Sequence, residues 1–293
     1  MSKTYIGVGN LAKNVKKIYV GVSGVAKKVK KAYVGVGGIA KEFYKSGLSG
    51  MVSKTWSGLT SFYGSVIWTD GNDTYYSSGT KQYVLNKATS TWTEKTWSGL
   101  TSFQGGDIWT DGTNIYYSGG RSSKQYVLNK ATSTWTAKTW SGYDSISGSK
   151  IWTDGTNIYY SNDVIHYVLN KATSTWTEKT WSGLTNFQVY NIWTDGNNTY
   201  YSTGTTQYVL NKATSTWTEK TWYGLTSFSG VYIWTDGNDI YYSGNNTQYV
   251  LNKATSTWTA KTWTNFNSFT GEYIWTDGSK YYYSGSSIHY EFV

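Results

Sequence analysis

The sequence predicts an all-β protein: a closed six-bladed β-propeller with four-stranded blades, preceded by a small β-meander. Three observations predict it. The 293 residues include 17 Trp, 29 Tyr and 32 Gly with no Pro and no Cys, a usage that favours strands and turns over helices. Trp-Thr-Asp-Gly occurs six times, beginning at Trp68, Trp109, Trp152, Trp193, Trp234 and Trp275, at intervals of 41, 43, 41, 41 and 41 residues. That interval is the length of a propeller blade. Charge is split along the chain: residues 1–50 hold ten Lys and one acid, Glu42, while residues 51–293 hold 16 basic and 16 acidic residues. The net charge of +9 therefore belongs to the first segment, which sets two domains: a Lys-rich hairpin module over 1–46 and a propeller over 47–293.

Each long repeat reads as four strands. In the first, Val66-Ile67-Trp68-Thr69 is followed by Asp70-Gly71, a tight-hairpin signal. Thr74-Tyr75-Tyr76-Ser77 is the second strand, and a Gly/Ser loop leads to Gln82-Tyr83-Val84-Leu85, the third. Residues 86–90 turn the chain into a fourth strand over residues 91–97. Trp92 and Trp97 are then expected on opposite faces of that strand, as suits a blade enclosed between neighbours.

The ends are complementary. The sixth repeat stops after its third strand, at Tyr290-Glu291-Phe292-Val293, and the first is preceded by Met51-Val52-Ser53-Lys54-Thr55-Trp56. This segment aligns with a fourth strand, Met51 standing at its first Trp. The N-terminal strand is thus expected to complete the last blade and close the ring, leaving no free sheet edge between blades.

In the N-terminal module, Tyr5-Ile-Gly-Val, Tyr19-Val-Gly-Val and Tyr33-Val-Gly-Val recur every 14 residues, each before a two-residue turn (Gly9-Asn10, Ser23-Gly24, Gly37-Gly38). This pattern reads as short hairpins, a sheet too small to be stable by itself.

The long repeat resembles the kelch repeat: a Tyr pair leading to Ser-Gly, an aromatic-hydrophobic strand, a polar turn and a Trp about ten residues on. The short repeat resembles modules of tail-associated structural proteins from phages and prophages. That resemblance implies a virion component released by lysis, attached to other tail proteins through residues 1–46. A homo-oligomer is also implied, since phage appendages are often trimeric. No apolar run approaches a membrane span, and the first residues lack the layout of a signal peptide. The expectation is a soluble virion protein.

The inventory disfavours an enzyme, and no catalytic residue is expected. A copper-radical oxidase needs a Cys, and a sialidase-type site needs several Arg; this chain has no Cys and one Arg, Arg121. His166 and His289 occupy equivalent third-strand positions in opposed repeats, where sister repeats carry Gln82, Gln125, Gln207 and Gln248. They read as hydrogen-bonding residues, and no metal or cofactor is expected. The Asp-Gly turns lack the alternating ligands of a calcium loop. Asp107, Asp144, Asp163 and Glu272 are unique to single repeats, with no visible pairing for glycoside hydrolysis. Lys without Arg or a known motif makes nucleic acid a disfavoured partner.

The repeats differ chiefly on one face of the expected disc, in the residues before the first strand and between the second and third. The candidate ligand contacts there are Tyr63, Asp107, Arg121, Lys150, Asp163, Tyr190, Asn191, Tyr232, Asn245, Asn246, Glu272 and Tyr273. Such side chains suit stacking on sugar rings and bonding to hydroxyls. The expected function is non-catalytic recognition of a host-surface glycan or protein. The alternatives are a tail-associated glycan depolymerase or a structural decoration. The opposite face is nearly constant, and its Lys87, Lys130 and Lys171 are expected to be replaceable without loss of ligand binding.

Overall fold

The computed structural model describes six strands within residues 5–45 at the level of the backbone, and residues 48–293. The connections at 63–65, 101, 104–106, 120–123, 144–149, 163, 185–186, 188–191, 226, 229–231, 245–246, 267–268, 270–272 and 286 lie outside the described residues, as do the side chains of Lys150, Tyr232 and Tyr273.

Residues 51–293 form six four-stranded antiparallel sheets arranged as a propeller. In blade one, Val66–Thr69, Thr74–Ser78, Lys81–Asn86 and Thr91–Glu94 pair in sequence order. The first strand of blade one lies beside those of blades two and six, so the first strands surround the central axis and the fourth strands form the rim.

The Asp-Gly turn is a four-residue loop rather than a two-residue hairpin. Asp70 N donates to Asp73 O at 3.2 Å, and Asp70 Oδ1 accepts the amides of Asn72 and Asp73 at 2.9 and 2.8 Å. An Asp side chain that bonds backbone two and three residues on stabilises such a loop. Gly71 sits at φ 96°, a left-handed conformation that glycine adopts without strain.

The fourth strand is shorter than the sequence suggests, ending at Glu94. Trp97 is therefore not on the opposite face of the strand bearing Trp92; it lies in the crossing to blade two. There Ser98 N donates to Ser133 O at 3.1 Å and Trp135 N to Ser98 O at 2.8 Å. The crossing chain pairs with the next blade before the strand can continue.

This displacement builds the core. Trp97 packs on Trp68 and Tyr75 of blade one and on Trp135 of blade two, with centroids 5.9, 5.3 and 6.0 Å away. Trp140, Trp181 and Trp222 do the same at the next three seams. Trp56 fills the seam between blades six and one, against Trp275 and Trp92. The apolar core is thus a circle of inter-blade clusters, with indoles burying area and meeting largely edge to face or tilted.

Closure follows the expected register. Tyr290, Glu291 and Phe292 pair with Ser53, Val52 and Met51, completing the sheet that contains Tyr273–Thr276, Tyr281–Ser284 and His289–Phe292. Met51 is fully buried. At the seam between blades five and six, Phe292 meets Trp234 and Trp263 at 4.7 and 5.0 Å.

In the N-terminal module, Tyr5–Val8 pairs with Leu11–Asn14, Tyr19–Val22 with Val25–Lys28, and Lys31–Val36 with Ile39–Lys45. Among the described residues these are three two-stranded hairpins. The turns expected at 9–10, 23–24 and 37–38 lie outside the described residues.

Candidate recognition face

The first strand of each blade reads Xaa-Ile-Trp-Thr, and only its opening residue varies. The constant part has fixed duties. The indole N–H of Trp68 donates to Ser77 Oγ at 3.0 Å, and Trp109, Trp152, Trp193, Trp234 and Trp275 repeat this bond in their blades. Tyr75 stacks on Trp68 at 4.4 Å and donates its hydroxyl to Asp70 at 3.4 Å; the equivalent Tyr159 to Asp154 bond is 3.1 Å.

These contacts hold the opening residue in one register. Val66, Asp107, Lys150, Tyr232 and Tyr273 stand opposite Ser77, Ser118, Ser161, Ser243 and Ser284. All five open an innermost strand on the same face of the disc, so they ring one mouth of the axis. Asp107 is exposed there. Asp107 and Lys150 are on adjacent blades two and three; Tyr232 and Tyr273 are on adjacent blades five and six, across the axis. The sequence reading passed over Val66 as a ligand contact, although alignment before Ile-Trp-Thr identifies its place. Tyr63, Arg121, Asp163, Tyr190, Asn191, Asn245, Asn246 and Glu272 lie outside the described residues.

The variable connections are anchored on both sides. Phe62, Phe103, Phe187, Phe228 and Phe269, each in the connection leading to a first strand, are buried. Phe103 N donates to Gly79 O, and Phe228 N to Gly204 O, both at 2.8 Å. The third-strand Gln residues secure the same turns, Gln82 to Gly79 O at 3.0 Å and Gln248 to Gly244 O at 2.7 Å. At the equivalent position His289 Nε2 lies 3.1 Å from Thr60 O and the ring packs on Phe62, while His166 packs on Phe187. A groove lined by Lys54, Trp56, Thr60, Ile288 and His289 opens beside this contact.

The constant face is tied across the seams. Lys130 Nζ donates to Asp70 O at 2.6 Å, Lys171 to Asp111 O at 2.8 Å, and Lys87 to Asp277 O at 2.5 Å. Each of these lysines thus ties its blade to the preceding one. A second set, from Lys-Thr-Trp, lies over its own indole and reaches the next blade. Lys95 Nζ is 4.9 Å from the Trp97 centroid and 2.9 Å from Ser133 Oγ, a cation–π contact with a hydrogen bond.

The turn carboxylates and stacked tyrosines are shifted in opposite directions. Burial acts to raise Asp111, but the amides of Asn114 and Thr113 and the Tyr116 hydroxyl outweigh it and hold the carboxyl below its ordinary value. Asp154, Asp195 and Asp277 are lowered in the same way. Tyr116 is pushed up to about 12 by burial and by Asp111, and Tyr159 and Tyr200 likewise reach about 12.

No protein-family model matches this sequence, and no curated protein does. Among solved structures the chain is similar to that of YjhT, a kelch-repeat protein, with a TM-score of 0.58 and 9% identity over 82% of this chain and 95% of that one. The fold is that of a six-bladed β-propeller. At this identity the likeness is one of architecture.

Proposed function

We propose that this propeller is a non-catalytic recognition module, a tail-associated virion component that binds a host-surface glycan or protein at the mouth ringed by the opening residues of the first strands. The single observation that carries the reading is the variation of that register position, Val66, Asp107, Lys150, Tyr232 and Tyr273, on strands otherwise alike. Residues that pack seams are repeated nearly unchanged; residues at the mouth are not. Tyr residues on blades five and six and charged residues on blades two and three bring to the mouth the residue types that stack on and hydrogen-bond to a saccharide or a peptide loop. Residues 1–46 supply attachment to other virion proteins.

The experiment is a glycan array probed with the purified chain, beside incubation with the retained glycans to detect cleavage. Retention without product release supports the reading. Product release makes the protein a depolymerase, and no retention of glycans or intact host cells leaves the decoration role.

A further inference from the structure

At the seam between blades six and one, a groove of about 360 Å³ lies between two walls. One wall is the opening of the third strand of blade six, Ser287-Ile288-His289. The other is the crossing chain that leaves the closing strand at Ser53 and reaches Thr60. Two bonds hold the walls in place. Lys54 N donates to His289 O at 2.8 Å, and His289 Nε2 lies 3.1 Å from Thr60 O. The groove is therefore built by the fold, and its size is at the lower end of small-molecule sites, ~300–1,000 Å³. It lies beside the outermost strand, away from the axial mouth.

Its lining has a definite chemical character. Lys54 carries a positive charge, and among the described residues that line the groove none is acidic. Lys54 Nζ is 2.6 Å from Ser90 Oγ and 4.9 Å from the Trp56 centroid. An ammonium has three N–H donors, so the bond to Ser90 leaves two. Ser53, Thr55, Thr60 and Ser287 add hydroxyls, and Ile288, 56% exposed, adds an apolar flank. A cation favours an anionic group; hydroxyls bond to hydroxyls, and an apolar flank suits the C–H face of a sugar ring.

This combination belongs to blade six. Blades one, two, four and five open the third strand with Lys81-Gln82, Lys124-Gln125, Thr206-Gln207 and Thr247-Gln248. Blade three repeats the Ile-His pair as Ile165-His166, and Lys179 lies over Trp181 as Lys54 lies over Trp56. Its fourth strand, however, ends on Glu178 opposite Tyr167, where blade six has Ser53 opposite Tyr290. A carboxylate thus directly precedes the blade-three lysine, and a hydroxyl precedes Lys54. The closing strand comes from outside the long repeats, which is how this seam escapes their acidic residue.

We propose that the groove is a second ligand site, for a sugar unit bearing a carboxylate. The anion bonds to Lys54, the sugar hydroxyls to the Ser and Thr side chains, and the C–H face rests on Ile288. The site is independent of the mouth.

The test titrates the full chain with D-glucuronate, D-glucose and N-acetylglutamate, read by saturation-transfer NMR. Glucuronate should bind saturably and about ten-fold or more tighter than glucose, the ratio that one charge-assisted hydrogen bond supplies. Ser53→Glu restores the residue that blades one, three and four carry at this position, so the fold is kept; it should weaken glucuronate about ten-fold. Lys54→Gln should bring glucuronate down to the level of glucose. Lys220→Gln, which alters the same Lys-over-Trp pair at another seam, should change nothing. No saturable glucuronate binding, affinity equal to that of glucose, or glucuronate binding unmoved by Ser53→Glu would overturn the proposal. N-acetylglutamate binding as tightly as glucuronate would overturn it too, by making the site one for an acidic peptide. Tyr232→Ala/Tyr273→Ala at the mouth should leave glucuronate binding unchanged, so failure of the recognition reading and failure of this site are read separately.

Discussion

Phe292 pairs with Met51 as Leu85 pairs with Trp92, so a methionine fills in blade six the place that tryptophan fills in the other five. The ring thus closes through a buried side chain contributed from the far end of the sequence. Deleting residues 1–46 should leave the propeller folded with a Tm only a few degrees lower. Deleting residues 1–57 also removes the closing strand and Trp56, and should abolish the cooperative melt. Met51→Ala in the full chain should cost about 2–4 kcal/mol through the cavity it leaves. Equal melts for the two deletions would contradict the closure.

The turn lysines have a structural duty. Replacing Lys87, Lys130 and Lys171 together by Ala removes three charged hydrogen bonds across seams, each about 0.5–1.5 kcal/mol. Chemical denaturation should show a loss of about 1.5–4.5 kcal/mol, with ligand binding at the opposite mouth unchanged. Unaltered stability would show that water replaces these bonds without penalty.

Gly99 cannot be exchanged. Its φ is 81°, and an added Cβ would stand 1.9 Å from the Trp135 carbonyl oxygen. Gly99→Ala should cost more than ~2 kcal/mol, combining left-handed strain with displacement of the crossing chain. Gly71→Ala, with open space around its Cβ, should cost only about 1 kcal/mol. Thermal melts of the two variants give the comparison.

Most of the architecture was legible in the sequence because its repeats are nearly identical: period, strand number and closing register all follow from where Trp-Thr-Asp-Gly and Met51 fall. What was not legible depends on contacts between blades. Trp97 looks like a strand residue until Ser98 is seen paired with blade two, and Lys130 looks like an exposed cation until it meets Asp70. At the mouth, alignment identifies the varying positions, but their number on each blade and what they grip depend on the connections around residues 104–106 and 188–191, which follow no repeat rule.

Stability should fall at both ends of the pH range. Asp111, Asp154, Asp195 and Asp277 have lowered folded values. Their contribution is complete above the ordinary carboxyl value of about 4 and is lost as the pH falls through the lowered ones. Tyr116, Tyr159 and Tyr200 are raised to about 12. Their contribution is complete below the ordinary phenol value of about 10 and is lost as the pH climbs toward 12. Denaturation midpoints from pH 2 to 12 should form a plateau between about 5 and 9; a midpoint still rising above pH 10 would contradict the buried Tyr–Asp pairs.

The central claim is recognition at the axial mouth. The most direct measurement is a side-by-side glycan array of the native chain and the Tyr232→Ala/Tyr273→Ala variant, with Tm measured on both. The account predicts glycans retained by the native chain, binding weakened about ten-fold or more in the variant, as for hot-spot aromatics, and melting points within about 3 °C. A variant that melts normally and retains the same glycans with equal affinity would place recognition elsewhere on the molecule.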